Sequence, residues 1–142
     1  RSKSFNLTMK KRYFTLEEAQ NIIPEISIKL RKLIQISRTI QLLNNIEISY
    51  EDDFQFMFSQ INSRKNTYKL YYDFYELLEE ILNHGAIVKD LNFGLVDFYS
   101  IHDGGEIFLC WQLGENKIKY WHEADSGYDE RKSIELLKNV QA

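Results

Sequence analysis

Apolar residues recur every three or four positions up to about His84, and every second position beyond Gly85. The first spacing marks one face of a helix, the second one face of a strand. Ala19, Ile22, Ile26, Leu30, Leu33, Ile36, Ile40 and Leu43 form the first stripe, which predicts a helix to about Asn44. Thr15-Leu16-Glu17-Glu18 in front of it fits a capping box: Thr15 accepts from the amide of Glu18, and Glu18 reaches back. Pro24 lacks a donor and crowds the preceding turn, so a kink or break is expected there. Ile23, Ile28 and Leu42 lie off the stripe and suggest a second contact surface.

Asn44 to Asp53 reads as a polar, acidic connection. A second helix is predicted from about Asp53 to His84, with Met57, Ile61, Tyr68, Tyr72, Tyr75, Leu78 and Leu82 as its stripe and Asn62 to Asn66 as a weak middle. Gly85 suits the position after a helix end, and His84 suits its negative dipole end. Two long helices joined by a short polar loop pack as an antiparallel hairpin.

Three strands follow: Leu95 to His102, Glu106 to Leu113 and Lys117 to Glu123. Asp103-Gly104-Gly105 and Gly114-Glu115-Asn116 are hairpin turn signals. A two-residue turn at Asp103-Gly104 sets Phe98 opposite Leu109 and Val96 opposite Trp111. A two-residue turn at Glu115-Asn116 sets Leu109 opposite His122, Trp111 opposite Tyr120 and Leu113 opposite Ile118. One face then holds Val96, Phe98, Ile107, Leu109, Trp111, Leu113, Ile118, Tyr120 and His122. The other holds Asp97, Tyr99, Glu106, Phe108, Cys110, Gln112, Lys119 and Trp121. A slip of one residue would exchange the two sets. The tail from Asp125 carries a turn at Ser126-Gly127 and a short helix around Ser133 to Asn139. The expected class is α+β: a long antiparallel helical hairpin on a three-stranded antiparallel sheet, then a short C-terminal helix.

At 142 residues the chain fits one domain. Met9-Lys10-Lys11-Arg12 reads as a native start, so residues 1–8 are set aside as a tag or disordered arm. Residues 9–142 form the domain, divided into a hairpin (9–85), a sheet (86–125) and a tail (126–142). A net charge of -3 with interspersed signs gives no electrostatic case for nucleic acid or anionic membrane. Cys110 is alone, which forbids an internal disulfide and suits a reducing compartment. With no signal peptide and no membrane-length apolar run, a cytoplasmic location is expected.

Tyr13-Phe14-Thr15-Leu16-Glu17-Glu18-Ala19 with Ile22-Ile23-Pro24 resembles the opening of the uncharacterised prokaryotic family catalogued as domain of unknown function 2203. Lys89-Asp90, Gly94-Leu95-Val96-Asp97-Phe98, Leu109-Cys110-Trp111-Gln112-Leu113-Gly114-Glu115 and Trp121-His122-Glu123 with Gly127 and Arg131 are similar to its C-terminal signature. The likeness covers about Met9 to Arg131. It implies no activity, but it draws Trp111, Glu115, His122 and Arg131 together as residues of interest.

His122 is the leading candidate side chain, because histidine titrates near neutrality and serves as acid, base or ligand. The plainer reading is a structural histidine whose nitrogens bond backbone or a carboxylate. Glu115, Asp125 and Arg131 are its possible partners. His102, His122, Cys110 and the carboxylates lack zinc-site spacing, and this register puts Cys110 and His122 on opposite faces, so neither metal nor cofactor is expected. A mid-strand Cys110 reads as a small apolar filler rather than a nucleophile. Tyr68, Tyr71, Tyr72 and Tyr75 alternate with Lys65 and Lys69, which could stack single-stranded bases, but Tyr68, Tyr72 and Tyr75 packing on the first helix is favoured. Tyr99, Phe108 and Trp121 make an aromatic outer face that suggests an interface. The favoured function is a non-enzymatic binding or assembly module. It is expected to be a homodimer, recognising a protein or small ligand around Trp111, Trp121, His122 and Arg131. The rival is a small enzyme using His122 with Asp125 or Glu115, and Arg131 for an anionic group.

Overall fold

The computed structural model describes residues 11–44, 54–125 and 130–137. The expected arm (1–8) and the interhelical connection lie outside the described residues. Two long helices, α1 (Leu16–Asn44) and α2 (Phe54–Asn83), precede the sheet strands β1 (Ala86–Asp90), β2 (Leu95–His102), β3 (Gly105–Gln112), β4 (Tyr120–Glu123) and β5 (Lys132–Ser133). Among the described residues the sheet is five-stranded and antiparallel, in sequence order.

The helix start is as the capping box requires. The Glu18 amide donates to Thr15 Oγ1 at 3.1 Å, and the Thr15 amide donates to Glu18 Oε1 at 2.8 Å. No break occurs at Pro24; α1 is one helix of 29 residues. Ile23 and Ile26, on either side of the proline, are buried in the core, and that packing outweighs a lost backbone bond. Ile23 thus joins the buried stripe, while Ile28 and Leu42 are exposed.

The helices run antiparallel. His84 Nε2 meets Glu25 Oε2 at 2.6 Å, and Lys29 Nζ meets Glu80 Oε1 at 2.8 Å, so α2 recedes four residues as α1 advances four. The buried face of α2 is not the expected stripe. Leu77 and Ile81 are buried with Phe74 and Leu78 packed beside them, whereas Met57, Ile61, Tyr68, Tyr72, Tyr75 and Leu82 are exposed. The tyrosines therefore do not pack on α1. They alternate with the buried positions on an adjacent face, offset by one residue from the true seam.

Gly85 ends α2 with a φ of +97°, and a Cβ there would stand 2.8 Å from the Phe14 ring. Phe14 fills that space, packing edge-on to Phe98 at 5.2 Å. Its amide donates to the Tyr99 carbonyl at 2.8 Å, and Ser100 Oγ donates to its carbonyl at 2.6 Å. The segment before α1 is thereby pinned to β2.

The β2–β3 hairpin has the expected register, with Phe98 opposite Leu109 and Val96 opposite Trp111. Asp103 (φ 51°) and Gly104 (φ 76°) form its turn, both with the positive φ that suits strand twist. The β3–β4 register differs from expectation by one residue: Leu109 faces Trp121, Phe108 faces His122 and Cys110 faces Tyr120. The connection is longer than a two-residue turn. Glu115 Oε1 accepts from the Gln112 amide at 2.8 Å, and the Trp111 indole donates to the Glu115 carbonyl at 2.8 Å. Ile118 leaves the ladder to be buried, its amide donating to Gln20 Oε1 at 3.1 Å. That extra length moves Trp121 to the inner face, and Tyr120 and His122 to the outer one.

The inner face joins α1 and α2 in one core: Val96, Phe98, Leu109, Trp111 and Trp121 against Ala19, Ile26, Leu30, Leu33 and Ile81. Strands β1 and β5 add to the three expected. The tail helix is only a 3-10 turn, Ile134–Leu136, with Ser133 Oγ accepting from the Glu135 amide. Its remaining expected length lies outside the described residues.

Candidate functional site

The outer sheet face holds buried polar groups. Rows of cross-strand neighbours run Asp97, Cys110, Tyr120, Ser133, and beside it Tyr99, Phe108, His122. Asp97 and Cys110 are each 2% exposed and His122 5%. From β4, His122 reaches across β3 to β2, where its Nε2 lies 3.0 Å from Asp97 Oδ2. Its Nδ1 lies 2.9 Å from the Glu123 carbonyl oxygen. A carbonyl only accepts, so Nδ1 carries a proton and donates. The carboxylate also accepts, which favours a proton on Nε2 and hence an imidazolium. The Asp97 hydrogen bond raises the His122 pKa; burial works against this and the Glu123 carbonyl adds to it.

Cys110 sits beside this pair. Burial pushes its thiol up to about 12; the Asp97 charge pushes the same way and Arg131 opposes. At neutral pH it is a neutral thiol and a poor nucleophile. Arg131 Nη1 lies 4.0 Å from Cys110 Sγ, and the guanidinium stacks 4.2 Å from the centre of the Tyr120 ring. Lys89 Nζ is 5.1 Å from the centre of the Phe108 ring, and its charge disfavours the imidazolium. Phe108 and His122 rings lie 5.2 Å apart.

Of the residues singled out in the sequence, His122 and Arg131 are brought to this face. Trp111 and Trp121 are not: both are buried in the inner core, and the Trp121 indole donates to the Ser133 carbonyl at 3.1 Å. Neither ring is offered to a ligand, and with Phe108 also buried the outer face is no exposed aromatic patch. Glu115 locks the β3–β4 loop, and Asp125 is exposed in the turn after β4. The carboxylate partner of His122 is instead Asp97. The correct β2–β3 pairing already set Asp97 beside Cys110; the slipped β3–β4 pairing hid His122 from both. Cys110 and His122 share a face, contrary to the expectation that they are separated. His102 stands at the inner side, its ring 5.8 Å from that of Trp121.

A separate groove of about 380 Å³ lies between the start of α1 and the β4 side of the sheet, lined by Leu16, Gln20, Ile118, Tyr120 and Ile134 among others. It contains none of His122, Asp97 or Arg131. Among the described residues no helix is long and apolar enough to cross a membrane.

Fold and site define an α+β protein in which a helical hairpin covers one face of an antiparallel sheet and a buried His–Asp pair occupies the other. The family model described as "Uncharacterized conserved protein (DUF2203)" matches residues 12–134, and the chain belongs to that family. No curated protein and no solved structure matches it.

Proposed function

We propose that the protein is a non-enzymatic assembly module that forms a homodimer through α2. The supporting observation is an apolar stripe that no described residue covers. Phe54, Met57, Phe58, Ile61, Tyr68, Tyr72 and Tyr75 are 52–78% exposed and recur at helical spacing. A run of this length, roughly 30 Å along the helix, is more apolar surface than a soluble chain leaves to water without a use. The helix also changes sign along its length: Arg64, Lys65 and Lys69 precede Asp73, Glu76 and Glu79. Two copies packed antiparallel about this stretch set basic against acidic, an isologous arrangement. The same acidic residues, with the net charge of -3, disfavour a nucleic-acid strand on the tyrosines.

The test is light scattering across the micromolar range. The wild type is expected at twice the chain mass, and Tyr68→Glu with Tyr72→Glu at the chain mass. A wild type that stays monomeric throughout would remove the proposal.

A second reading, a small enzyme with His122 as acid or base and Arg131 holding an anion, draws on the convergence of His122, Asp97 and Arg131 on one face. The near-complete burial of His122 and Asp97 weighs against it, because a working acid must touch substrate. Under this reading His122→Gln keeps the fold and abolishes an activity. Under the assembly reading it leaves the dimer intact.

A further inference from the structure

The Asp97, Cys110 and His122 cluster has a chemistry that a plain ion pair does not need. Each residue offers one donor atom, an oxygen, a sulfur and a nitrogen, and these atoms lie within 4.8 Å of one another. All three are buried and stand on adjacent strands β2, β3 and β4, so backbone pairing holds them in place. The histidine is oriented by its other nitrogen: Nδ1 keeps its proton on the Glu123 carbonyl at 2.9 Å, so that Nε2, once its own proton is lost, aims its lone pair into the cluster. Nε2 and Asp97 Oδ2 then face each other at 3.0 Å. Two electron-rich atoms so placed require a cation between them, either a proton or a metal ion.

In the metal-free cluster the Cys110 thiol also hydrogen-bonds Asp97. With that proton lost, a thiolate beside an imidazole and a carboxylate is a borderline-soft set suited to zinc-class ions and not to magnesium or calcium. We propose that Asp97, Cys110 and His122 bind a divalent transition metal of the zinc class. The carboxylate and the thiolate together balance its charge. The ion takes the place of the Nε2 proton and displaces the thiol proton, as coordinated metals do. Arg131 Nη1, at 4.0 Å from Sγ, becomes a donor to the coordinated sulfur, the kind of outer contact that steadies a metal thiolate. Metal–donor distances of about 2.0–2.3 Å place tetrahedral donors roughly 3.3–3.7 Å from one another. Nε2 and Oδ2, now 3.0 Å apart, must part slightly, while the sulfur, within 4.8 Å of both, closes in by side-chain rotation. Three protein ligands leave a fourth tetrahedral position for water or an external donor. This site lies on the sheet, away from the α2 stripe, and stands whether or not the protein dimerises.

The experiment uses the full chain, stripped with a chelator and confirmed folded by circular dichroism, then titrated with Zn²⁺ and with Co²⁺. The expected result is one equivalent bound per chain and, with cobalt, a thiolate-to-metal charge-transfer band in the near ultraviolet. Cys110→Ser, close to isosteric, is expected to stay folded and lose the band. Asp97→Asn and His122→Gln are expected to bring bound metal down to background, while His84→Gln keeps the full equivalent. A folded wild type that takes up no stoichiometric metal overturns the proposal, as does a Cys110→Ser protein whose cobalt spectrum matches the wild type.

Discussion

Val96, Phe98, Leu109 and Trp111 on the inner face of the sheet, and Asp97, Cys110 and His122 on the outer, are all nearly shut off from water. The inner set is hydrocarbon and aromatic ring, and its stability comes from volume filled and area buried. The outer set is polar, and its stability depends on each group finding a partner. The two faces therefore differ in how they fail. An inner residue that is shortened leaves a cavity. An outer residue that is removed leaves a charge without its counterpart.

The largest expected effects come from the inner face. Phe98→Ala and Trp121→Ala should each cost about 3–5 kcal/mol in urea unfolding, through lost burial and a residual cavity. Their outer-face neighbours, Tyr99→Ala and Tyr120→Ala, are only half-buried and should cost clearly less. Equal losses at Trp121 and Tyr120 would overturn the β3–β4 register, and with it the outer-face cluster.

That register is also where the sequence stops being legible. The capping box at Thr15, the Asp103-Gly104 turn and the apolar alternation of β2 and β3 are local signals, and each is met in the structure. The loop before β4 is not a local matter. Ile118 is drawn from the ladder by α1, through burial and the Gln20 side chain, contacts far away in the chain. Counting a turn from Gly114-Glu115-Asn116 alone gives the wrong parity, and parity decides whether His122 meets Leu109 or Asp97. Strand β1 is missed from the sequence: Ala86 and Val88 alternate inward with Ile87 and Lys89, but the run is too short to stand out. Strand β5, two residues long, carries no pattern of its own. In α2 two apolar faces compete, and only packing on α1 selects Leu77 and Ile81 over Tyr68 and Tyr72.

The outer face is best probed as a pair. In metal-free protein, Asp97→Ala should cost about 3 kcal/mol or more, because it strands a buried imidazole. Replacing both partners, Asp97→Leu with His122→Leu, should cost less than the two single changes together, since no polar group is then left unmatched. Strictly additive losses would mean that the two side chains do not act as a unit, and the contrast between the faces would fail at its centre.

The exposed stripe of α2 belongs to neither face and should behave unlike both. Tyr68→Glu with Tyr72→Glu touches no buried position, so unfolding of the monomer should change by no more than about 0.5 kcal/mol per site. Chemical denaturation at a concentration low enough to keep wild type and variant monomeric checks this. A large loss there would place those tyrosines inside the core.

The smallest effect lies at the exposed margin of the outer face. Glu106 Oε2 accepts from the Tyr13 hydroxyl at 2.7 Å and from Lys11 Nζ at 3.3 Å, tying the segment before α1 to the start of β3. Lys11 lies 4.6 Å from the centre of the Tyr99 ring, so the tie closes over the same row that leads to His122. The Tyr13 hydrogen bond, and less so that from Lys11, holds the Glu106 carboxyl below its ordinary value. A group whose folded pKa is depressed adds stability at pH values above its unfolded pKa of about 4.3, and loses it as pH falls through the folded value. Melting temperatures of wild type and Glu106→Gln should therefore differ slightly near pH 7 and converge as the solution is taken below pH 4. Because the group is solvated, salt should narrow the gap at pH 7 as well. A gap that widens on acidification would reverse the sign of this interaction, and would mean that Glu106 is protonated where it meets Tyr13.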